Sequence, residues 1–289
     1  MCPKKPNWMK KRIKNPKNIE KTREILSNLD LNSVCENAHC PNMGECFAKK
    51  TATFMIMGNI CTRNCRFCAV QSGEPQPLDK NEPQNLAKAV KKLGLQHVVI
   101  TSVTRDDLKD GGATHFKNIV KQIQELTNNS EVTIEVLTPD FKMNKSALDK
   151  ILKVQPDIFN HNLETVPRLY SVIRPEAEYQ RSLDVLNYVK KNNQGNIFTK
   201  SGIMLGMGEK KQEIINIMKD LREIDCDIIT IGQYLQPGPE HYPVKKYIKP
   251  EEFKEYENIG QKLGFKYVAA GPYIRSSYQA ADFFEDINN

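Results

Sequence analysis

From residue 51 onward, short apolar runs alternate with amphipathic stretches. TFMIMG (53–58), HVVITS (97–102), VTIEVL (132–137), DIFNHN (157–162), FTKSGIML (198–205) and CDIITIG (226–232) are nearly continuous apolar, β-rich runs. That is the pattern of strands covered on both faces. Between them lie PQNLAKAVKKLG (83–94), THFKNIVKQIQEL, KSALDKILKV, YQRSLDVLNYVKKN and KKQEIINIMKDLREI. Their apolar residues recur at helical spacing, and the first stretch opens at Pro83 and stops at Gly94. Strand and helix alternate about six times, which predicts an α/β fold with a parallel sheet and helices outside it. The expected architecture is a partial (βα)6 TIM-like barrel over residues 51–232. An N-terminal extension (1–50) and a C-terminal extension (233–289) are expected to form one compact unit with it.

Composition agrees with a globular chain. The 289 residues suffice for a single α/β barrel. No apolar run approaches the ~20 residues needed to span a bilayer, and the N-terminus has no apolar signal region. A cytoplasmic protein is expected. The charge is unevenly placed: residues 1–17 carry seven Lys/Arg and no acid, so the net +7 of the chain resides there. This is either a solvated tail or an electrostatic docking arm for an acidic partner. Trp8 is a candidate anchor for that arm.

Polar and glycine-rich segments follow the strands, where functional loops of such folds lie. Six of the eight cysteines fall in two sets of three: Cys35, Cys40 and Cys46, then Cys61, Cys65 and Cys68. Cytosolic thiols stay reduced, so clustered cysteines point to metal rather than disulfides. Structural zinc takes four ligands, whereas three thiolates on a cubane iron–sulfur cluster leave one iron without a protein cysteine. In CTRNCRFC the C-x3-C-x2-C spacing lets three thiolates face one cubane, and the remaining iron can chelate the amine and carboxylate of an amino acid. S-adenosylmethionine (SAM) offers both. A zinc-stabilised module using the basic arm on nucleic acid is the alternative from a different class; iron and sulfide content separates the two.

This loop, following the first strand, resembles the radical SAM superfamily. GIMLGMGE matches that superfamily's G-x-I-x-G-x-x-E pattern through Gly202, Gly206 and Glu209, with Met204 in place of Ile. The glycines are read as allowing a flat adenine near the backbone, and Phe67 as contacting the same ring. Within the superfamily, the C-x4-C-x5-C trio and the terminal RSSY (Arg275–Tyr278) resemble the lipoyl synthase family. So do VPRLYSVIRPEAEYQRSL, TKSGIMLGMGE, GQYLQP with HYPV, GPYIRSSY and TSVTRDDLKDGG. In the last of these Thr104 stands where Asp or Asn is commoner.

That resemblance implies two 4Fe-4S clusters and SAM as cofactors. The SAM cluster would be held by Cys61, Cys65 and Cys68. A sulfur-donating auxiliary cluster would be held by Cys35, Cys40, Cys46 and a serine, Ser277 with Ser276 as competitor. Asn162, Glu164 and Arg174 would join Phe67, Gly202, Met204, Gly206 and Glu209 around SAM. The implied reaction inserts sulfur at C6 and C8 of an octanoyl chain on a carrier lysine, using a deoxyadenosyl radical. The implied partners are an octanoylated lipoyl carrier domain or a glycine-cleavage H-type protein, a low-potential donor (ferredoxin or flavodoxin), and an iron–sulfur carrier that rebuilds the spent cluster. Neither membrane nor nucleic acid is expected as a partner. Another radical SAM sulfur-inserting enzyme, methylthiotransferase or biotin-synthase-like, is the alternative. Of Asp106, Asp107 and Asp110, one is read as a contact to the SAM amine, with helix capping as the alternative; Cys226 is read as a buried small hydrophobe, and His39, inside the first trio, either as a loop histidine or as a hydrogen-bond partner of a cluster sulfide.

Overall fold

A computed structural model describes residues 4–9, 16–37, 40, 42–48, 51–127, 132–195 and 197–277. The chain divides into two compact units. The first comprises residues 13–63, 70–159 and 277 onward, the second residues 1–12, 64–69 and 160–276. His39, Tyr278, Cys2 and most of the basic arm lie outside the described residues.

The first unit runs α1 (Pro16–Ser27), β1 (Asn32–Ser33), α2 (Val34–Asn37), α3 (Met43–Ala48), β2 (Thr51–Ile56), β3 (Ile60–Cys61), β4 (Gln71–Ser72), α4 (Glu82–Leu93), β5 (His97–Ser102), α5 (Ala113–Leu126), β6 (Thr133–Leu137) and α6 (Lys145–Leu152). Strands β2, β5 and β6 pair in parallel, with Phe54 opposite Ile100 and Ile100 opposite Val136. Strand β1 adds antiparallel to β2. Phe54, Ile100 and Val136 of these strands and Leu86, Val90, Phe116, Ile119 and Ile123 of α4 and α5 are all buried, and such burial is the dominant favourable term for a fold. Helix α4 starts and ends as its sequence demands. Pro83 occupies the first turn, and Gly94 takes a left-handed conformation (φ 59°) while its N–H bonds back to Lys91 and Val90.

Strand β7 (Ile158–Asn160) carries the chain into the second unit, which continues with α7 (Tyr170–Ile173), α8 (Tyr179–Asn192), β8 (Phe198–Leu205), α9 (Lys211–Glu223), β9 (Ile228–Gln233), α10 (Pro250–Lys262) and β10 (Tyr267–Gly271). Strands β8, β9 and β10 are parallel, with Gly202 opposite Thr230 and Thr230 opposite Ala269. Thus α10 and β10 continue the strand–helix alternation beyond residue 232. Their signal is weak because β10, YVAAG, holds small residues and little β-branching. Near the N-terminus the buried anchor is Met9; Trp8 remains 36% exposed. Among the described residues no helix is long and apolar enough to cross a membrane.

Candidate functional site

The first trio sits where β1 turns into α2 and α3, in the first unit. The Ser33 hydroxyl donates to Thr53 O (3.2 Å) and accepts from Cys35 N–H (3.1 Å), fixing the start of α2. Cys40 N–H in turn donates to Cys35 O (2.9 Å), and Cys46 N–H to Asn42 O (3.0 Å). Cys35 is 6% exposed. Burial foremost, and then the neighbouring Cys40, push its thiol up to about 11. Metal binding deprotonates such a thiol, because positive irons invert the local balance of charge. Among the described residues no three His, Cys, Asp or Glu side chains gather tightly enough around one point to hold a single metal ion. A cubane spreads its thiolates over separate irons, and three cysteines are the donor set such a cluster takes.

Cys61 also belongs to the first unit. Strand β3 pairs with β4, and Gly73 N–H donates to Cys61 O (2.9 Å). The Cys61 sulfur accepts from Arg63 N–H (3.4 Å) and Thr104 N–H (3.2 Å). Two backbone amides are thus aimed at one sulfur, an arrangement that suits a cluster ligand. Thr104 serves through its backbone here, so its side chain can differ from the residue commoner at this place.

Arg63, a residue the sequence pattern did not single out, is the keystone of this half of the loop. Its guanidinium bonds Asp106 (2.8 and 3.0 Å) and Asp140 (2.7 and 3.0 Å). Arg63 and Asp140 are buried. Asp140 also accepts from Lys142 N–H (3.0 Å). It opens a turn in which Phe141, Lys142 and Met143 all have positive φ (46°, 50° and 58°). Each left-handed non-glycine residue costs about 1–2 kcal/mol. The turn is held by the Asp140–Arg63 pair and by the Phe141 ring, which stands edge-on to Phe116 (6.2 Å).

The other carboxylates of this region are likewise committed to the protein. Asp107 pairs with Arg105 (2.8 Å). Asp110 accepts from Gly112 N–H, Thr114 N–H and Lys150, the helix-capping alternative. Burial opposes ionisation of Asp110, but Lys150, Thr114 and the backbone donors outweigh it and hold the carboxyl at about 2.

Cys65 and Cys68 belong to the second unit, where Cys68 N–H donates to Cys65 O (3.1 Å). Phe67 between them is half-buried. Five of the candidate SAM residues are joined there by direct contact. Asn162 donates to Glu164 (3.0 Å). Glu164 N–H donates to Gly202 O and Met204 N–H to Glu164 O, both at 2.9 Å. Arg174 donates to Asn162 O (3.0 Å), Leu163 O (3.1 Å) and the Tyr170 hydroxyl (3.2 Å). Burial raises the Glu164 carboxyl pKa, against the pull of Arg174 and Asn162. Glu164 has φ +64°, the kind of backbone strain that concentrates at functional positions.

Packing within the protein also requires the two glycines. A Cβ on Gly202 would stand 2.7 Å from the Thr230 hydroxyl and 2.8 Å from Asn162 Oδ1. At Gly206, φ is +108° and a Cβ would strike Gln233 and the Lys246 carbonyl. The protein's own packing therefore demands glycine at both places. Glu209 closes the Gly206 loop, accepting from the N–H groups of Gly206 and Met207, and burial raises its carboxyl pKa against those donors.

The adjacent serines differ. Ser276 accepts from Asn160 Nδ2 (2.9 Å) and donates to Asn162 Oδ1 (2.8 Å). Ser277 is half-buried, and among the described residues its hydroxyl makes no hydrogen bond. Cys226 is fully buried, and burial pushes its thiol up to about 12. It is therefore expected to resist iodoacetamide in the native protein at neutral pH and to be alkylated only on unfolding, as mapped by mass spectrometry; native labelling would contradict this placement.

The Radical SAM superfamily pattern matches residues 55–221. The lipoyl synthase of Caldanaerobacter subterraneus subsp. tengcongensis is 58% identical over 280 residues, covering 97% of each chain. That of Alkaliphilus metalliredigens is 53% identical over 281 residues, covering 97% of this chain and 96% of the relative. Among solved structures, methylornithine synthase (PylB) superposes with a TM-score of 0.57 at 15% identity, over 91% of this chain and 89% of that one. This last likeness speaks for the fold alone, an α/β fold with a mostly parallel sheet. Two near-full-length relatives at more than half identity, and the superfamily match across both glycine and cysteine motifs, lead to one assignment: the chain belongs to the lipoyl synthase family of the radical SAM superfamily.

Proposed function

We propose that the protein inserts sulfur at C6 and C8 of an octanoyl chain amide-linked to a carrier lysine, giving lipoyl-lysine. The observation that carries this reading is the pair of cysteine trios, C-x4-C-x5-C and C-x3-C-x2-C, in a chain of this family. When bound, the SAM cluster with SAM supplies a hydrogen-abstracting radical and the auxiliary cluster supplies sulfur. The residues would divide as follows. Cys61, Cys65 and Cys68 hold the first cluster, with the amides of Arg63 and Thr104 donating to the Cys61 sulfur. Cys35, Cys40 and Cys46 hold the second, with Ser277 as its oxygen ligand. Ser277 is preferred to Ser276 because both hydrogen-bonding roles of the Ser276 hydroxyl are already used by Asn160 and Asn162.

Asn162, Glu164 and Arg174, with Gly202, Met204, Gly206, Glu209 and Phe67, orient SAM. Fixing substrate carbon, cofactor and sulfur in one geometry is the chain's main contribution, together with excluding water from the reacting groups. In sequence terms residues 1–50 carry the auxiliary ligands, 51–232 the radical SAM core and 233–289 the closing serine. The partners are an octanoylated carrier protein, a low-potential reductant of the ferredoxin or flavodoxin kind, and an iron–sulfur carrier for rebuilding, in the cytoplasm.

The test is direct. Reconstituted, reduced protein given an octanoyl-lysyl peptide should form lipoyl-lysyl peptide and consume two SAM for each product, one per C–H bond replaced. A methylthiolated or singly sulfurated end product would favour the other sulfur-inserting enzymes instead.

A further inference from the structure

The loop after β9 and the Asn64–Ala69 half of the cysteine loop lie in the same unit and are bonded backbone to backbone and ring to backbone. His241 Nε2 meets the Cys68 carbonyl oxygen at 2.9 Å. A carbonyl only accepts, so Nε2 carries the proton and donates. The next residue, Tyr242, donates its N–H to Arg66 O (2.7 Å). From another side, Arg66 N–H donates to Ile173 O (2.9 Å) and Asn64 N–H to Glu176 Oε2 (2.7 Å). Residues 64, 66 and 68 are thus each tied at the backbone. The cations of Arg66 and Lys245 also stand over the Tyr242 ring, at 5.8 and 5.6 Å from its centroid.

The β9 loop is braced internally. The hydroxyl of Tyr234, a residue 1% exposed, donates to Tyr242 O (2.6 Å). Gln236 Nε2 donates to Gly238 O (2.8 Å) and His241 O (3.2 Å). A short loop that must present thiolates in one arrangement loses conformational entropy when it is ordered. A braced segment that orders it beforehand removes that cost from metal binding.

We infer that Gln236–Tyr242 is a strap that presets the Cys65–Cys68 span for its cluster, with His241 as the positioning residue; this rests on reading Cys61, Cys65 and Cys68 as cluster ligands. His241 acts through the Cys68 peptide group rather than on sulfur. The block GQYLQP with HYPV, so far only a mark of resemblance, thereby acquires a physical task.

The test uses Cys35→Ala protein, which on this reading carries only the cluster at Cys61, Cys65 and Cys68. The loaded protein is challenged anaerobically with excess EDTA, and iron loss is followed by absorbance and by the spectrum of the reduced cluster in electron paramagnetic resonance. His241→Ala is expected to lose iron roughly 5- to 10-fold faster, the factor carried by one net hydrogen bond. His241→Gln, whose amide can donate to the same carbonyl, is expected to hold iron nearly as the parent does. Gln236→Leu, which removes the loop-internal bonds to Gly238 O and His241 O, is expected to accelerate loss by a smaller factor. Circular dichroism melts of all three should match the parent. Equal iron retention by His241→Ala, or equally fast loss from His241→Gln, overturns the strap. A parent that binds no iron overturns the ligand reading and the strap with it.

Discussion

Cys35→Ala protein is expected to cleave SAM to deoxyadenosine yet form no sulfur-bearing product, so lipoyl-lysyl peptide falls to background. The expectation follows from the separation of tasks between the trios. Cys35 is the buried member of its set, seated by Ser33 and bonded through its carbonyl to Cys40. Its removal takes away the proposed ligand seated at the start of α2. Cys61, in contrast, is set by Arg63, Thr104 and Gly73, through hydrogen bonds that do not involve Cys35. Iron should fall by about four per chain, one cubane, while deoxyadenosine formation continues. Chromatography of deoxyadenosine beside mass spectrometry of the peptide reads both halves. Lipoyl product from this variant would defeat the assignment of the first trio as sulfur source.

The second large effect belongs to Arg63. Arg63→Leu removes the cation between Asp106 and Asp140 and leaves two carboxylates facing an apolar side chain. Side-chain exposure is 5% at Arg63, 1% at Asp140 and 21% at Asp106. Breaking a buried pair from one side costs about 3–5 kcal/mol. The loss is expected to appear in urea unfolding, and the Arg63→Leu, Asp140→Asn double variant should recover part of it, because one stranded charge is gone. The left-handed turn at Phe141–Met143 should loosen together with the pair, since Asp140 anchors both. A single variant within about 1 kcal/mol of the parent, the level of an exposed pair, would show that the network contributes little.

Much of the frame was legible along the chain because its signals are local. Strand β5 occupies 97–102 and β8 occupies 198–205, as their apolar runs indicate, and Gly94 stops α4 through its backbone conformation. Elements whose signal is diluted were missed: β10 holds two alanines and ends on glycine, and α10 precedes it in a segment read as extension. The site was legible as residue types and spacing but not as partnerships. Arg63 finds Asp106 and Asp140 across 43 and 77 positions, and no local periodicity encodes such a pairing. The glycines stand out in the sequence, but the packing that also requires them does not, since the atoms crowding Gly202 and Gly206 come from Asn162, Thr230, Gln233 and Lys246. His241 carried a visible mark, a polar loop behind a barrel strand, without any sign of which carbonyl it would meet.

The unlike bonding of Ser276 and Ser277 bears on how the C-terminal segment is measured out. Ser276 is pinned to two asparagines at the end of β7, so it acts as a ruler mark for whatever follows. Inserting one residue between Gly271 and Arg275 would bring Arg275 to the pinned position and Ser276 to the place now held by Ser277, with Ser277 displaced one position further. The ending therefore encodes an order of hydroxyls and a count of residues back to β10, and the mere presence of serine is not enough.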